Sequence, residues 1–164
     1  MATPQSARPP SPLRRVVVGV DGSPGSLAAL RWAVQEASLR GVAVHAVTAW
    51  ESPVESTFGG MRTVDDFHPV IAAEEILVTT LADAGVSASY PTVTTAAVEG
   101  HPAEVLLQAA EGSELLVVGS RGHGKILGAL LGSVSQYVTA HASCPVAVIN
   151  PLADEVHVPC HPEH

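Results

Sequence analysis

The chain has 164 residues, of which 46% are apolar, and this length and composition predict one domain with a sizeable core rather than a disordered protein. Its 16 acidic residues against 8 Lys and Arg give a net charge of −8, which disfavours binding to nucleic acid or anionic lipid. No apolar run is long enough for a membrane span, and residues 1–12 do not resemble a secretory signal. With 2 cysteines, a disulfide framework is excluded, and we expect a cytoplasmic protein.

Short apolar runs alternate along the chain with segments of helical periodicity. In the second helical segment, Ile71, Val78 and Leu81 are predicted to face the core, while Glu74 and Glu75 face solvent. The predicted strands are 14–20, 42–49, 91–98, 114–119 and 144–149, and the predicted helices run from Pro24 to Gly41, from Pro69 to Gly85, from Pro102 to Gly112 and from Ser133 to His141.

Strands that are separated by helices cannot form hairpins, so this alternation predicts an α/β fold with one doubly wound, five-stranded parallel sheet and helices on both faces. We expect a single domain over residues 13–150, between a disordered lead-in at 1–12 and a flexible tail at 151–164. In such a sheet, ligands bind beyond the carboxyl ends of the strands, at the point where the strand order reverses.

Two predicted strands end in residues that suit a ligand. The first ends in the run Gly19-Val20-Asp21-Gly22, and the fourth ends in Gly119-Ser120-Arg121-Gly122-His123-Gly124-Lys125. If these strands are neighbours, a carboxylate and a glycine-rich basic loop face the same crevice. Glycines allow backbone N–H groups to converge on phosphate oxygens, and Arg121 and Lys125 add positive charge.

A helix N-terminus is predicted directly after this loop. Ser133 and Gln136 have the Ser-x-x-Gln spacing of a capping box, which predicts that the helix begins there. The free N–H groups of a helix N-terminus favour phosphate, and Gly132 before it allows close backbone approach.

Two better-known phosphate motifs do not match. Gly119-x4-Gly124-Lys125 begins like a Walker A loop, but Ile126 stands where a Ser or Thr must hold magnesium. Gly122-x-Gly124 lacks the third glycine of the dinucleotide fingerprint. The loop therefore binds phosphate in another arrangement, or not at all.

The spacing Gly119-x2-Gly122-x9-Gly132-Ser133 resembles the full glycine motif of the universal stress protein family, in its ATP-binding branch. Residues 16–23 are also similar to the first strand and turn of that family, and residues 131–149 to its last helix and strand. The resemblance covers about residues 13–150. It implies the strand order 3-2-1-4-5, with the first and fourth strands side by side.

The resemblance further implies that the crevice binds ATP, with or without Mg²⁺. Asp21 would contact the ribose and Val47 the adenine, while the glycine-rich loop and the start of the last helix would surround the phosphates. No catalytic residue and no metal ligand is assigned. The candidate nucleotide-binding residues are Gly19, Asp21, Val47, Gly119, Ser120, Arg121, Gly122, His123, Gly124, Lys125, Gly132, Ser133, Val134 and Ser135.

The fifth strand predicts a protein partner. It is expected at the edge of the sheet, and its apolar run Val146–Ile149 contains no charge that would prevent pairing with another chain. Two copies could pair antiparallel across a two-fold axis, and the resemblance implies the same arrangement. We therefore expect a homodimer through the strand at 145–150.

We interpret the chain as an ATP-binding regulatory module of the stress response. No catalytic triad, carboxylate pair or metal-ligand cluster accompanies the loop. The alternative is a weak ATP hydrolase or nucleotidyl-transfer enzyme on the same fold, for which His123 is the nearest candidate to activate water. A flavin-binding electron carrier is disfavoured because the 2 Trp, 2 Tyr and 2 Phe offer no evident pair to sandwich the ring.

Three further features are interpreted as structural. His45 alternates within the second strand and is expected to pack rather than to catalyse, and Cys144 is expected to be a small core residue. His157, Cys160 and His161, with the terminal His164, are more consistent with a disordered tail than with a metal site.

Overall fold

The structure is a computed structural model that describes residues 14–52, 68–86, 91–123 and 131–151. The predicted lead-in and all of the predicted tail beyond Pro151 lie outside these residues. The elements are, in chain order, β1 (Arg15–Gly19), α1 (Pro24–Arg40), β2 (Ala43–Trp50), α2 (Pro69–Asp83), β3 (Val93–Glu99), α3 (Pro102–Ala110), β4 (Leu115–Gly119), α4 (Ser133–His141) and β5 (Val146–Ile149).

The five strands form one parallel sheet in the order β3-β2-β1-β4-β5, so the predicted fold class and strand order are confirmed. β1 comes first in the chain but lies in the middle of the sheet. It pairs with β2 on one side, Gly19 opposite Val47, and with β4 on the other, Val18 opposite Val117. The strand order therefore reverses between β1 and β4, and their carboxyl ends flank the place where such sheets bind ligands.

Helices cover both faces of the sheet, α1 and α2 one face, α3 and α4 the other. Val16, Val17 and Val18 of β1 have no exposed surface because alternate side chains enter opposite layers of core. On α1, Ala33 and Ala37 are fully buried, and their small side chains let the helix approach the sheet closely. In the described part of the chain, no helix has the length and apolar character needed to cross a bilayer.

The first helix begins and ends as predicted. The Ser23 hydroxyl accepts the backbone N–H of Ser26 at 3.2 Å, and Pro24 occupies the first helical position, where no N–H is required. Gly41 follows the last turn with a φ of 67°, a left-handed conformation that only glycine adopts without strain.

The predicted inward face of α2 is wrong at two of its three residues, whereas Leu81 packs against the core and Glu74 and Glu75 are exposed as predicted. Ile71 and Val78 are 49% and 69% exposed, whereas Ala73, Leu77 and Thr80 are buried. The buried residues follow a regular helical stripe, in which Ala73 allows close packing. The hydroxyl of Thr80 is satisfied by donating to the Ile76 carbonyl at 2.7 Å, so a polar residue is buried in place of a larger apolar one. Hydrophobicity read from the sequence alone favours the face with Ile71 and Val78 instead.

β3 and β5 begin at Val93 and Val146, two residues later than the predicted starts at 91 and 144. Pro91 lies two residues before β3 and Pro145 lies directly before β5, and a residue without an N–H cannot donate to the neighbouring strand. Cys144 is partly buried beside the core layer of α3 and α4, and this burial raises the pKa of its thiol.

His45 packs within the sheet as expected, with Nδ1 at 2.9 Å from the Thr94 hydroxyl oxygen of β3. Its pKa is lowered from 6.5, first by burial and second by the positive charge of Arg15. The folded chain therefore binds fewer protons at His45 than the unfolded chain does. The contribution of His45 to stability is present above pH 6.5 and is lost as the pH falls from 6.5 through the lowered pKa of the folded state.

We expect the free energy of unfolding to fall more steeply on acidification in the wild-type protein than in the His45→Gln variant. Urea unfolding of both proteins above and below pH 6.5 measures the loss of free energy of unfolding in each. Subtracting the loss of the variant from that of the wild type removes the contribution of the other titrating groups. Equal losses in the two proteins would contradict this role of His45.

Candidate functional site

A cleft opens at the carboxyl ends of β1 and β4, where the strand order reverses. It is bordered by the turn after β1, the start of the loop after β4, the N-terminus of α4 and one side of α3. The sequence-predicted residues that line it are Gly19, Asp21, Val47, Gly119, Arg121, Gly122, His123, Gly132, Ser133, Val134 and Ser135. Gly124 and Lys125 lie outside the described residues.

Asp21 lies directly after β1, and its two carboxylate oxygens have different surroundings. Oδ1 accepts the backbone N–H of Ser23 at 2.9 Å and also the Ser23 hydroxyl, so this oxygen helps to fix the turn into α1. Oδ2 faces Gly122, because a Cβ at position 122 would overlap with it. One oxygen is thus committed to the fold, while the other lies directly against the glycine-rich loop.

His123 joins this loop to the turn after β1. Its Nε2 lies 2.8 Å from the main-chain oxygen of Asp21, a geometry in which Nε2–H donates to that carbonyl. The side chain is exposed and also approaches Gly22, whose φ of 79° makes the turn possible. The contact links the ends of β1 and β4 beyond the sheet itself.

Ser120 is the one described candidate residue that does not line the cleft. It is buried, and its backbone joins three parts of the fold. Its N–H donates to the Ile149 carbonyl at 2.7 Å, while its own carbonyl accepts the N–H of Gly132 at 2.7 Å and the hydroxyl of Ser135 at 3.1 Å. Ser120 therefore anchors the start of the loop through its backbone.

The predicted capping box at the start of α4 is wrong. The N-cap residue is Gly132, and no side chain caps the helix. Ser133 is already in the first turn, and the Gln136 amide donates to the Leu131 carbonyl at 2.9 Å instead of accepting the N–H of Ser133. Without a side-chain cap, the first N–H groups of α4 remain available at the edge of the cleft.

The apolar end of the cleft includes residues that the sequence interpretation missed. Ala49 could have been found, because it lies two positions after Val47 and hence on the same face of β2. Pro102 and Leu106 belong to α3 and reach the cleft only through tertiary packing. The other missed lining residues are Val20, Ser23, Ser26, Val118 and Leu131.

Gly19 shows how closely the apolar end of the cleft is packed. A Cβ at position 19 would lie 2.9 Å from Leu106 Cδ1, so glycine at the end of β1 allows α3 to pack closely. Val47 is 1% exposed, and its carbonyl accepts the N–H of Val20 at 2.9 Å. The apolar end is therefore a tightly built surface of small side chains and backbone.

Residues 12–150 match the model of the universal stress protein family. The chain belongs to the universal stress protein family. The matched region includes every described strand and helix, and the resemblance based on Gly119, Gly122 and Gly132 is confirmed.

Relatives within the family extend the comparison. A universal stress protein of Mycobacterium tuberculosis is 41% identical over 135 residues, which are 81% of this chain and 44% of the relative. The chain thus spans about half the length of the curated relatives that it matches.

Two solved structures in the family are similar to the chain. A universal stress protein in complex with cAMP has a TM-score of 0.63 and 29% identity, with coverage of 86% of this chain and 99% of that one. The universal stress protein of Archaeoglobus fulgidus in complex with dAMP has a TM-score of 0.59 and 28% identity, with coverage of 84% and 97%.

Proposed function

We propose that this chain is a cytoplasmic, ATP-binding regulatory module of the stress response, which changes its conformation or its partners with the bound nucleotide. The observation that carries the proposal is the close approach of Asp21 Oδ2 to Gly122 in the cleft at the ends of β1 and β4. A carboxylate and a glycine backbone lie side by side there, an arrangement that suits a ribose followed by phosphates.

The two ends of the cleft suit the two ends of a nucleotide. At one end, Gly119, Gly122 and the uncapped N-terminus of α4 offer backbone N–H groups and space for an anion. At the other end, Val47, Ala49 and Leu106 form an apolar surface that suits a flat base. The ribose would lie between them, within reach of Asp21.

The ligands of related proteins support an adenine nucleotide. The solved family members at 29% and 28% identity contain cAMP and dAMP, respectively. Both ligands share adenine, a sugar and one phosphate, so they agree with a base site and a phosphate site in one cleft. The triphosphate is our extension, and it rests on the complete glycine motif.

The charged groups of the cleft fit a magnesium-bound nucleotide. Asp21 is the one carboxylate among the described lining residues, and Arg121 and His123 are the basic side chains. A single carboxylate fits Mg²⁺ that is held mainly by phosphates and water, rather than by an all-protein cage. Mg²⁺ held in this way would neutralise charge between the phosphates and leave Asp21 Oδ2 to the ribose.

A regulatory role is favoured over the alternative, a weak ATP hydrolase or nucleotidyl-transfer enzyme. Such an enzyme needs a group that positions or activates the attacking nucleophile, and His123 is the candidate. Its Nε2 is engaged with the main-chain oxygen of Asp21, which makes His123 a link between two segments of backbone. This geometry supports a structural task for the imidazole.

Calorimetric titration with ATP, ADP, AMP, cAMP and GTP tests the proposed function. We expect the adenine nucleotides to bind with ATP the tightest, and GTP to bind much more weakly. Protein freed of any co-purified nucleotide that binds none of them would overturn the proposal. A cyclic or monophosphate ligand preferred over ATP would overturn the triphosphate part alone.

Asp21→Ala is expected to weaken ATP and adenosine alike, by roughly 1–3 kcal/mol, because a charged acceptor for the ribose hydroxyls is lost. Because Asp21 also helps to fix the start of α1, a second variant is needed that keeps this structural role. Asp21→Asn keeps a side-chain oxygen for the bonds from Ser23 but replaces the second oxygen with an amide donor.

We expect Asp21→Asn to retain the melting temperature of the wild-type protein and to lose affinity for both ligands. Calorimetry with ATP and with adenosine makes the comparison. A loss confined to ATP would place Asp21 beside the phosphates instead of the ribose.

We further propose a homodimer through β5. β5 is the last strand of the sheet, and each of its residues is only partly buried. The carbonyls of Pro145 and Ile149 accept N–H groups from the β4 side, at 3.0 and 2.7 Å. Because successive residues of a strand direct their backbone groups to opposite sides, the N–H and carbonyl of Val146 and Val148 point to the outer edge. These groups are available to the same strand of a second copy.

A further inference from the structure

The glycine-rich loop after β4 leaves the sheet in contact with the first turn of α1. A Cβ at Gly25, in that turn, would overlap with the main-chain oxygen of Arg121. The contact is reciprocal, because a Cβ at Gly119 would lie 2.6 Å from the carbonyl carbon of Gly25. Backbone therefore packs directly on backbone where the loop begins, and neither position has room for a side chain.

Helix geometry does not explain the glycine at position 25. Gly25 is absent from the glycines with positive φ in the described chain, and alanine is the better helix former at such a position. Pro24, its neighbour in the same turn, is exposed and makes no wall of the cleft. The contact with Arg121 is thus the structural reason for a glycine here.

The surroundings decide which side would move if a side chain were present. Ser23, Gly25 and Ser26 are buried, and the Ser23 cap fixes the start of α1. Ser120 is held by hydrogen bonds to β5 and to the start of α4. By contrast, residues 121–123 are exposed, so a displacement would be taken up at Arg121 and Gly122.

We infer that Gly25 is a positioning residue of the phosphate site. Because Gly25 has no side chain, the first turn of α1 packs directly against the backbone of Arg121, and this contact sets the position of the loop relative to the phosphates. This inference rests on the proposed nucleotide binding, which it extends to a position outside the glycine motif. We expect the phosphate end of the cleft to depend on Gly25 more strongly than the base and ribose end, because Ser23 at the start of α1 holds the Asp21 carboxylate in place.

The test is calorimetry of Gly25→Ala with ATP and with adenosine, which lacks phosphates. We expect ATP affinity to fall by about tenfold or more, since the loss of one backbone hydrogen bond to a charged group has an effect of that order, and adenosine affinity to stay within about threefold. Pro24→Ala is the matched control, because it changes an exposed residue of the same helical turn that does not line the cleft, and it should leave both affinities close to the wild-type values.

The outcomes distinguish this inference from the proposed function. Equal weakening of ATP and adenosine, or no change in either, would overturn the role of Gly25 while nucleotide binding by the wild-type protein stands. Wild-type protein that binds neither ligand would overturn the proposed function itself.

A variant that is too unstable for calorimetry still gives an answer through ligand-induced stabilisation in urea. If equal concentrations of ATP and adenosine stabilise Gly25→Ala to a similar extent, although ATP stabilises the wild-type protein more, the inference holds. If ATP keeps its full advantage over adenosine in the variant, the inference is wrong.

Discussion

Replacing Gly122 with glutamate is expected to abolish ATP binding without unfolding the protein. Any Cβ at position 122 would overlap with Asp21 Oδ2, and a glutamate would add a second carboxylate beside the first. The new side chain would occupy the space assigned to the ribose and phosphates, and its charge would repel the phosphates. Because Gly122 is exposed, the substitution changes the cleft and not the core. Calorimetry measures the loss, and circular dichroism checks the fold.

Two further variants separate the causes of this loss. Gln35→Glu adds the same negative charge at an exposed position of α1, outside the cleft, and should bind ATP as the wild-type protein does. Gly122→Ala adds only the Cβ and should weaken binding by an intermediate amount. Unchanged ATP affinity in a folded Gly122→Glu variant would contradict the assignment of this loop to the phosphates.

The second large effect is expected at the outer edge of β5, where Val148→Pro should convert the proposed homodimer into a monomer. Val148 directs its N–H away from β4, so proline removes a hydrogen bond to the partner while the bonds between β4 and β5 remain. Proline also places its ring where the second strand would approach. Light scattering of both proteins, with melting temperatures as a check on folding, makes the comparison.

The control for the edge is Val148→Ala, which shortens the side chain but keeps the N–H. We expect it to remain largely dimeric, because the backbone bonds of an added strand do not depend on the side chain. A wild-type species of 16.8 kDa at micromolar concentration would refute the homodimer. A dimer that persists in a folded Val148→Pro variant would place the interface elsewhere.

Much of the binding cleft could be anticipated from local sequence because its parts occupy special positions in the chain. Asp21 follows directly after a strand, and Gly119, Gly122 and Gly132 follow another at the spacing of a known motif. In a parallel sheet such residues gather at one edge, so the crevice follows once the two strands are neighbours. The neighbour relation itself came from the resemblance to the family, since periodicity alone does not order the strands.

The sequence by itself determined the type and order of the strands and helices that the structure describes, because a strand buried on both faces and a helix bounded by Pro24 and Gly41 are signals within a few residues. Only the tertiary structure decided which face of α2 is buried, since Ala73 and Thr80 gain their places from the space between helix and sheet. It likewise brought Leu106 into the cleft and set Gly25 against Arg121, contacts between segments that are far apart in the chain. Such contacts depend on the distances between packed backbones, so they cannot be predicted from a local pattern of residues.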